Sequence, residues 1–189
     1  MDTATRVLDV AERLAQVRGF NGFSYADVAA ELGISKASLH YHFAGKAELG
    51  EALVERYAGR FSEALAEIDR RDVEAPAKLA AYAEIYAGVL RERRMCLCGM
   101  LAAEYDTLPA PMRDAILRFF DDNEEWLTRV LEQGREDGTL RGNGSARDEA
   151  RTIVSGLEGA LLVARPFGDV DRFEAAATRL LKGLATAAP

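Results

Sequence analysis

An all-α fold of about nine helices, in two parts, is what three features of the sequence predict. Apolar residues recur at spacings of three and four along most of the chain, the period of helices that bury one face. Only five prolines interrupt 189 residues, and alanine, leucine and interleaved charges supply good helix formers. Serines open several of these runs and glycines close them. The length suffices for a substantial core in one or two small domains.

The first helix spans residues 4–19, where Val7, Leu8, Ala11, Leu14, Ala15 and Arg18 keep the rhythm and Gly19 ends it. Phe20 and Phe23 flank a turn through Asn21-Gly22. The next stretch, FSYADVAAELGISKASLHYHFAGKAEL at 23–49, organises the rest. Ser24 opens its first helix, with Asp27 as the reciprocal partner of a capping box. Val28, Ala29 and Leu32 share one face, and Gly33 supplies the left-handed residue that stops the helix. Ser35 caps a second short helix to about Phe43, with Leu39 and Phe43 as an inward pair.

Two short helices about a tight glycine turn form a helix-turn-helix, which assigns roles to the residues left outside. Lys36, Ala37, Ser38, His40 and Tyr41 point outward from the second helix. Lys36 suits guanine acceptors or a phosphate, and the Ala37 methyl suits a thymine methyl. Ser38, Tyr41 and His42 suit phosphate oxygens, which fix register. Gly45-Lys46 opens the next helix, so backbone N–H groups and an ammonium are expected to converge on a phosphate. Ser24 and Tyr25, at the start of the first helix of the pair, join this DNA-facing set. Thr3 and Arg6 offer a further phosphate contact, with a solvated helix end as the alternative. A helical corner in an unrelated core competes with the whole reading, but cap, turn glycine and outward polar set agree in register.

The same residues carry a family resemblance. Ala26-Asp27-Val28-Ala29, Leu32-Gly33-Ile34-Ser35-Lys36, Leu39-His40-Tyr41-His42-Phe43 and Lys46-Ala47-Glu48-Leu49 resemble the amino-terminal signature of the TetR (tetracycline-repressor) family of transcription regulators. The likeness covers about residues 4–50. His40 stands where the family usually has tyrosine and Ala37 where it often has glycine or proline, so the operator sequence is left open. The resemblance implies a three-helix DNA-binding domain at 1–47 and an effector-binding, dimerising helical domain at 48–189. It further implies a ligand-responsive regulator of a pseudo-palindromic double-stranded operator, a repressor released by a small molecule.

Charge agrees with a local footprint on DNA rather than bulk attraction. The net charge is −7, and residues 1–50 hold five basic side chains (Arg6, Arg13, Arg18, Lys36, Lys46) against six acidic ones. A dimer would double the footprint.

Beyond residue 46 the body reads as helices. Leu49, Leu53, Tyr57, Phe61, Leu65 and Ile68 mark one long helix to about Arg71. At roughly 1.5 Å per residue it spans on the order of 37 Å, a strut between the reading head and the body. Ala75-Pro76 opens the next, which runs to the basic cluster Arg91-Arg93-Arg94, suited to a helix carboxyl end. Met95–Tyr105 is similar to a segment that borders the effector cavity in one branch of the family. After Leu108–Pro111 a second long helix reaches about Asp137, followed by the loop Arg141–Ser145. Helices at about 146–165 and 170–186 follow, and the tail ATAAP is expected to fray. Ile153, Val154, Leu157, Ala160, Leu161, Leu162 and Ala164 give the first of these a wider apolar face than packing on one side needs. Together the two predict a two-fold four-helix bundle between copies, with an intramolecular core as the alternative.

Tyr82, Tyr86, Met100, Glu104, Tyr105, Phe120, Trp126 and Phe167 are candidates for the wall of a partly apolar effector pocket. Aromatic core packing is the competing account of each. Cys96 and Cys98, beside Arg93 and Arg94, permit a redox- or electrophile-sensing reading against one of two small buried hydrophobes. Two cysteines are too few for a zinc set, and His40 and His42 belong to the head, so no metal is expected. No cofactor is expected either. The sequence lacks GxSxG, GxxxxGK[ST], HExxH and dinucleotide motifs, which argues against an enzyme. A helical small-molecule-binding protein or enzyme with a vestigial head remains the other class. No apolar run approaches the roughly 18–20 residues that cross a bilayer, and no signal peptide opens the chain; a cytoplasmic protein is expected.

Overall fold

The computed structural model describes residues 2–142 and 144–186. Among them are nine α-helices: α1 (Thr3–Arg18), α2 (Tyr25–Leu32), α3 (Lys36–His42), α4 (Lys46–Arg70), α5 (Ala75–Arg91), α6 (Leu97–Ala102), α7 (Ala110–Glu136), α8 (Ala146–Ala164) and α9 (Val170–Lys182). Short 3-10 turns lie at Tyr105–Thr107 and Arg165–Phe167. No strand occurs among the described residues beyond an isolated bridge between Leu140 and Ala185. No helix is long and apolar enough to cross a membrane.

The chain forms two compact units, 1–60 with 96–119, and 61–95 with 120–189. These bounds differ from the single cut after residue 47 that the sequence suggests. The opening of α4, all of α6 and the start of α7 join the three amino-terminal helices, because the first unit takes its core from all of them. Val7, Ala11, Leu14, Val28, Leu39, Leu49, Leu53, Leu97, Leu101, Met112 and Ile116 are all buried.

Within that unit an ion network fixes α4 against α1. Arg56 donates to Asp9 at 2.8 Å and to Glu12 at 2.9 Å, and Arg60 also donates to Glu12. Glu12 is buried, and a buried carboxylate is tolerable only with such partners. Asp2 caps α1 by accepting from the Thr5 N–H at 2.8 Å.

The second unit is built on α5, α8 and α9. Leu79, Tyr82, Ala83, Tyr86, Ala87 and Leu90 bury the inner face of α5. Ile153, Val154, Leu157, Leu161 and Ala164 do so for α8, and Phe173 and Ala177 for α9. Much of the wide apolar face of α8 is therefore spent within the chain. Ser145 caps α8 through the Asp148 N–H.

Two boundaries differ from expectation for local reasons. α5 stops at Arg91 because Arg93 turns left-handed (φ 59°) and the Arg94 N–H returns to the Val89 carbonyl at 3.0 Å. α9 ends at Lys182 because the following residues pair with the turn after α7. There the Arg141 N–H donates to the Leu184 carbonyl at 2.7 Å and the Thr186 N–H to that of Thr139 at 3.2 Å. Of the tail expected to fray, Ala185 and Thr186 are thus held. Ala187–Pro189, and Asn143 of the loop, lie outside the described residues.

Candidate nucleic-acid interface

The α2–α3 pair closes through its own backbone. Gly33 takes φ 65°, ψ 31°, its N–H reaching the Ala29 and Ala30 carbonyls, and the Ile34 N–H returns to Ala29 at 3.0 Å. Ser24 and Asp27 complete the capping box: the Ser24 N–H and hydroxyl donate to Asp27 Oδ2 at 2.8 and 2.6 Å. Those bonds, chiefly, hold the Asp27 carboxyl below the usual range, with Arg18 3.7 Å away helping. At the next turn Ser35 accepts from the Ser38 N–H at 3.1 Å and starts α3.

With Leu39 and Phe43 buried, α3 turns Lys36, Ala37, His40 and Tyr41 to solvent, and Tyr41 is 87% exposed. Ser38 and His42 are half-buried at the edge, and the His42 ring meets Tyr41 edge-on at 5.3 Å. Among the described residues Lys36 has no carboxylate partner, so its charge is available to a ligand.

Four of the expected DNA-facing residues also have work inside the protein. Ser24 spends its hydroxyl on the cap. The Tyr25 phenol donates to the Phe43 carbonyl at 3.0 Å, tying the start of α2 to the end of α3. Burial, with the charge of Glu48 second, pushes that phenol up to about 12. His40 lies against the Tyr25 ring at 4.8 Å with Nδ1 3.1 Å from the Ala44 carbonyl. Lys46 departs furthest from expectation. Its ammonium turns inward to donate to the carbonyls of Phe20 and Phe23 and lies over both rings, at 4.6 and 4.5 Å. Burial lowers its pKa, against the opposing charges of Glu104 and Asp27. Near the start of α4, Glu48 instead accepts from the Ala44 N–H at 2.8 Å.

The residues expected to line a pocket separate into groups. In the second unit Tyr82, Tyr86 and Trp126 meet in one buried network. The two phenols are 3.1 Å apart, Tyr82 donates to Asn123 Oδ1 at 3.0 Å, and its ring stacks on Trp126 at 5.6 Å. Trp126 Nε1 donates to Asp69 at 2.9 Å. Asn123 was missed by sequence reasoning, although a lone amide on the buried stripe Phe119–Asn123–Trp126–Leu127 is a readable signal. Phe120 is half-buried, while Phe167 is 63% exposed with the Arg172 guanidinium 4.0 Å from its ring centre. In the first unit Met100, Glu104 and Tyr105 are half-buried. Glu104 accepts from the backbone N–H groups of Phe20 and Asn21, and Tyr105 lies beside Arg113.

Open space in the second unit lies mostly away from these residues. A groove of about 390 Å³ runs between α5 and α9 over Leu79, Ala83, Ala87, Phe173, Ala177 and Leu181, and includes none of the expected pocket residues. A smaller one, about 240 Å³, is bordered by Asp69, Lys78, Trp126 and Asp137. Cys96 and Cys98 are both fully buried and form no disulfide. Cys96 Sγ accepts from the Gly99 N–H and the Tyr57 hydroxyl, each at 3.5 Å. No group of three or more metal-ligating side chains occurs among the described residues.

A capped three-helix head whose second helix-turn-helix element leaves its polar edge in solvent defines a class, the helix-turn-helix DNA-binding proteins. The comparisons narrow it. Residues 7–53 match the family described as "Bacterial regulatory proteins, tetR family", and residues 75–180 match "Tetracyclin repressor-like, C-terminal domain". The chain is 32% identical to a TetR-family regulator from Agrobacterium tumefaciens whose crystal structure superposes with a TM-score of 0.93, covering 97% of both chains. It is 26% identical over 195 residues to the Escherichia coli transcriptional repressor NemR, covering 99% of this chain and 96% of that one. The reduced form of NemR superposes with a TM-score of 0.87. The Bacillus subtilis regulator LmrA is 27% identical over 172 residues, 86% of each chain. The protein belongs to the TetR family: it is a ligand-responsive transcription regulator that acts as a dimer on operator DNA.

Proposed function

We propose that this regulator is a cytoplasmic repressor that reads a pseudo-palindromic operator with the exposed edge of α3 and lets go when a small molecule enters its body. The observation that carries the reading is the partition of α3: Leu39 is wholly buried while Lys36, Ala37, His40 and Tyr41 face solvent from a helix short enough to enter one major groove. Lys36 and Tyr41 lead, Ala37 and His40 read base edges, and Ser38 and His42 fix register on phosphates. Ser24, Tyr25 and Lys46 serve the same surface by holding its shape. Repression follows the character of the named relative NemR.

Pairing of two copies gives the second reading head. Leu162, Val163 and Phe167, at 58, 57 and 63% exposure, leave an apolar patch at the end of α8 that a second copy's α8 and α9 would cover. Two heads about 34 Å apart then address successive major grooves. The effector acts on α5. This helix carries the Tyr82–Tyr86 pair on its buried side and floors the open groove with Leu79 and Ala83, which suits a partly apolar molecule with a hydrogen-bonding group. Cys96 and Cys98 act as core packing, as their burial favours.

The test begins with selection of duplexes from a randomised pool by the full-length protein, followed by titration in increasing salt. Recovered sequences should be inverted repeats. Lys36→Ala should weaken binding about tenfold, and its salt slope should fall by about one unit if the ammonium sits on a phosphate. Tyr41→Ala should lose a comparable amount. Unchanged affinity in both variants would overturn the reading.

A further inference from the structure

The turn between α1 and α2 is gripped at both of its electrical poles by side chains from distant parts of the chain. On the donor side, the Phe20 N–H gives a 2.6 Å hydrogen bond to Glu104 Oε2, and the Asn21 N–H lies 3.3 and 3.4 Å from the two carboxylate oxygens. The Asn21 side-chain amide adds a bond to Thr107 Oγ1 at 2.7 Å, and that hydroxyl donates to the Glu104 carbonyl at 2.7 Å. On the acceptor side, the Lys46 ammonium takes the carbonyls of Phe20 and Phe23. One peptide unit after another is thus held by the segment that follows α6 and by the first residue of α4.

The approach of Glu104 is built into the backbone. Gly19 has φ 83°, a conformation that favours glycine, and a Cβ placed there would fall 2.7 Å from Glu104 Oε1, so a side chain at 19 would push the carboxylate from this position. The gripped turn then runs through Phe23 directly into Ser24, the cap of α2, and so into the helix pair that carries the DNA-facing edge. Glu104 was a pocket candidate by sequence, yet both its oxygens are engaged by amides of this turn.

We infer that Glu104 is a positioning residue for DNA reading: its carboxylate sets the α6 segment in register with the α1–α2 turn, so that displacement of one is passed through the Phe20 and Asn21 amides to α2 and α3. The inference rests on the DNA-binding role proposed for α3 and adds the residue that transmits to it. A carboxylate accepting from two amides is a directional, charge-assisted tie, stronger than neutral hydrogen bonds and lost stepwise on neutralisation and truncation.

Full-length Glu104→Ala and Glu104→Gln are compared with the natural chain in two measurements. Hydrogen exchange of peptides covering residues 19–24 and 35–43 reads the tie itself. Affinity for a duplex selected in vitro, set against an unrelated duplex, reads its consequence. Glu104→Ala should speed exchange at 19–24 and lose about tenfold in affinity for the selected duplex, with a smaller loss on the unrelated one, because register serves base reading more than phosphate attraction. Glu104→Gln, which keeps one acceptor, should fall between. Equal loss on both duplexes is what simple destabilisation predicts and would overturn the inference, as would unchanged exchange at 19–24. Should Glu104→Ala fail to fold, Glu104→Gln decides by the same criteria. If the natural chain selects no duplex, the DNA reading itself fails, and the exchange data still show whether the tie exists.

Discussion

The two turns of the reading head solve the same problem with different resources. At Gly33 the chain reverses by local means alone: a left-handed glycine, returning backbone bonds and a serine cap one residue after Ile34, with open space where a side chain would be. At Gly19–Gly22 local bonds do only part of the work: the Gly19 N–H returns to the Ala15 carbonyl at 2.9 Å and the Gly22 N–H to that of Gly19 at 3.2 Å. The Phe20 and Asn21 N–H groups and the Phe20 and Phe23 carbonyls are left to Glu104 and Lys46, 84 and 26 residues from Phe20 in sequence, and a Cβ on Gly22 would lie 2.2 Å from the Arg18 carbonyl oxygen. A turn closed by itself can be rigid without regard to its surroundings. A turn closed by others takes its position from them, which is the property a transmitted signal requires.

The sharpest way to break this comparison is to add one methyl group to each turn. Gly22→Ala drives a Cβ into backbone that cannot move aside, and the expected loss is about 3 kcal/mol or more. Gly33→Ala meets nothing and incurs only the left-handed conformation, about 1 kcal/mol. Urea unfolding of the two variants measures the difference; a Gly33→Ala loss equal to or above that of Gly22→Ala would contradict the contrast.

A smaller effect tests the remote grip. Lys46→Met keeps the apolar stem over Phe20 and Phe23 but removes the donor from two carbonyls, for an expected loss of about 2 kcal/mol. In a duplex titration the salt slope should stay the same, since an inward ammonium neutralises no phosphate. A slope lower by about one unit would return Lys46 to the DNA backbone.

This difference between the turns is also the difference between what could and could not be read in advance. Ser24 with Asp27, Gly33, Ser35 and the pair Leu39 and Phe43 act on neighbours within a few residues, so their spacing states their job. Lys46 sits in the same motif but acts on Phe20 and Phe23, and nothing in local spacing says that an ammonium will turn inward. Glu104 is further removed still. Its position on an apolar segment suggested a ligand, while its partners are the amides of a turn at the other end of the first unit's sequence. In the second unit the burial of Tyr82, Tyr86 and Trp126 favours aromatic core packing, the competing account of each in the sequence. That Tyr82, paired with Tyr86, bonds to Asn123 and stacks on Trp126 depends on the phase of α5 against α7, which composition does not carry. Helix ends followed the same rule: the stop at Gly33 is written in the residue, whereas the end of α9 is imposed by pairing with the turn after α7.

The smallest effect is one of sign, and it separates the two turns by alkaline titration. Tyr25 ties α2 to the end of α3, and burial, with Glu48 second, raises its phenol from 10 to about 12. Between those values the unfolded chain has released the proton while the folded chain retains it. The stabilisation is therefore complete below pH 10 and falls away as pH rises toward 12. Lys46 behaves oppositely: burial lowers its pKa from 10.5, so the folded chain gives up its proton first and stability rises with pH as 10.5 is approached from below. Chemical denaturation across pH 9–12 should show Tyr25→Phe with a flatter decline above pH 10 than the natural chain, and Lys46→Met with the rise before 10.5 removed. If Tyr25→Phe declined as steeply as the natural chain, the α2–α3 tie would not hold its phenol protonated, and the local turn would owe that end of its stability to something other than the bond to Phe43.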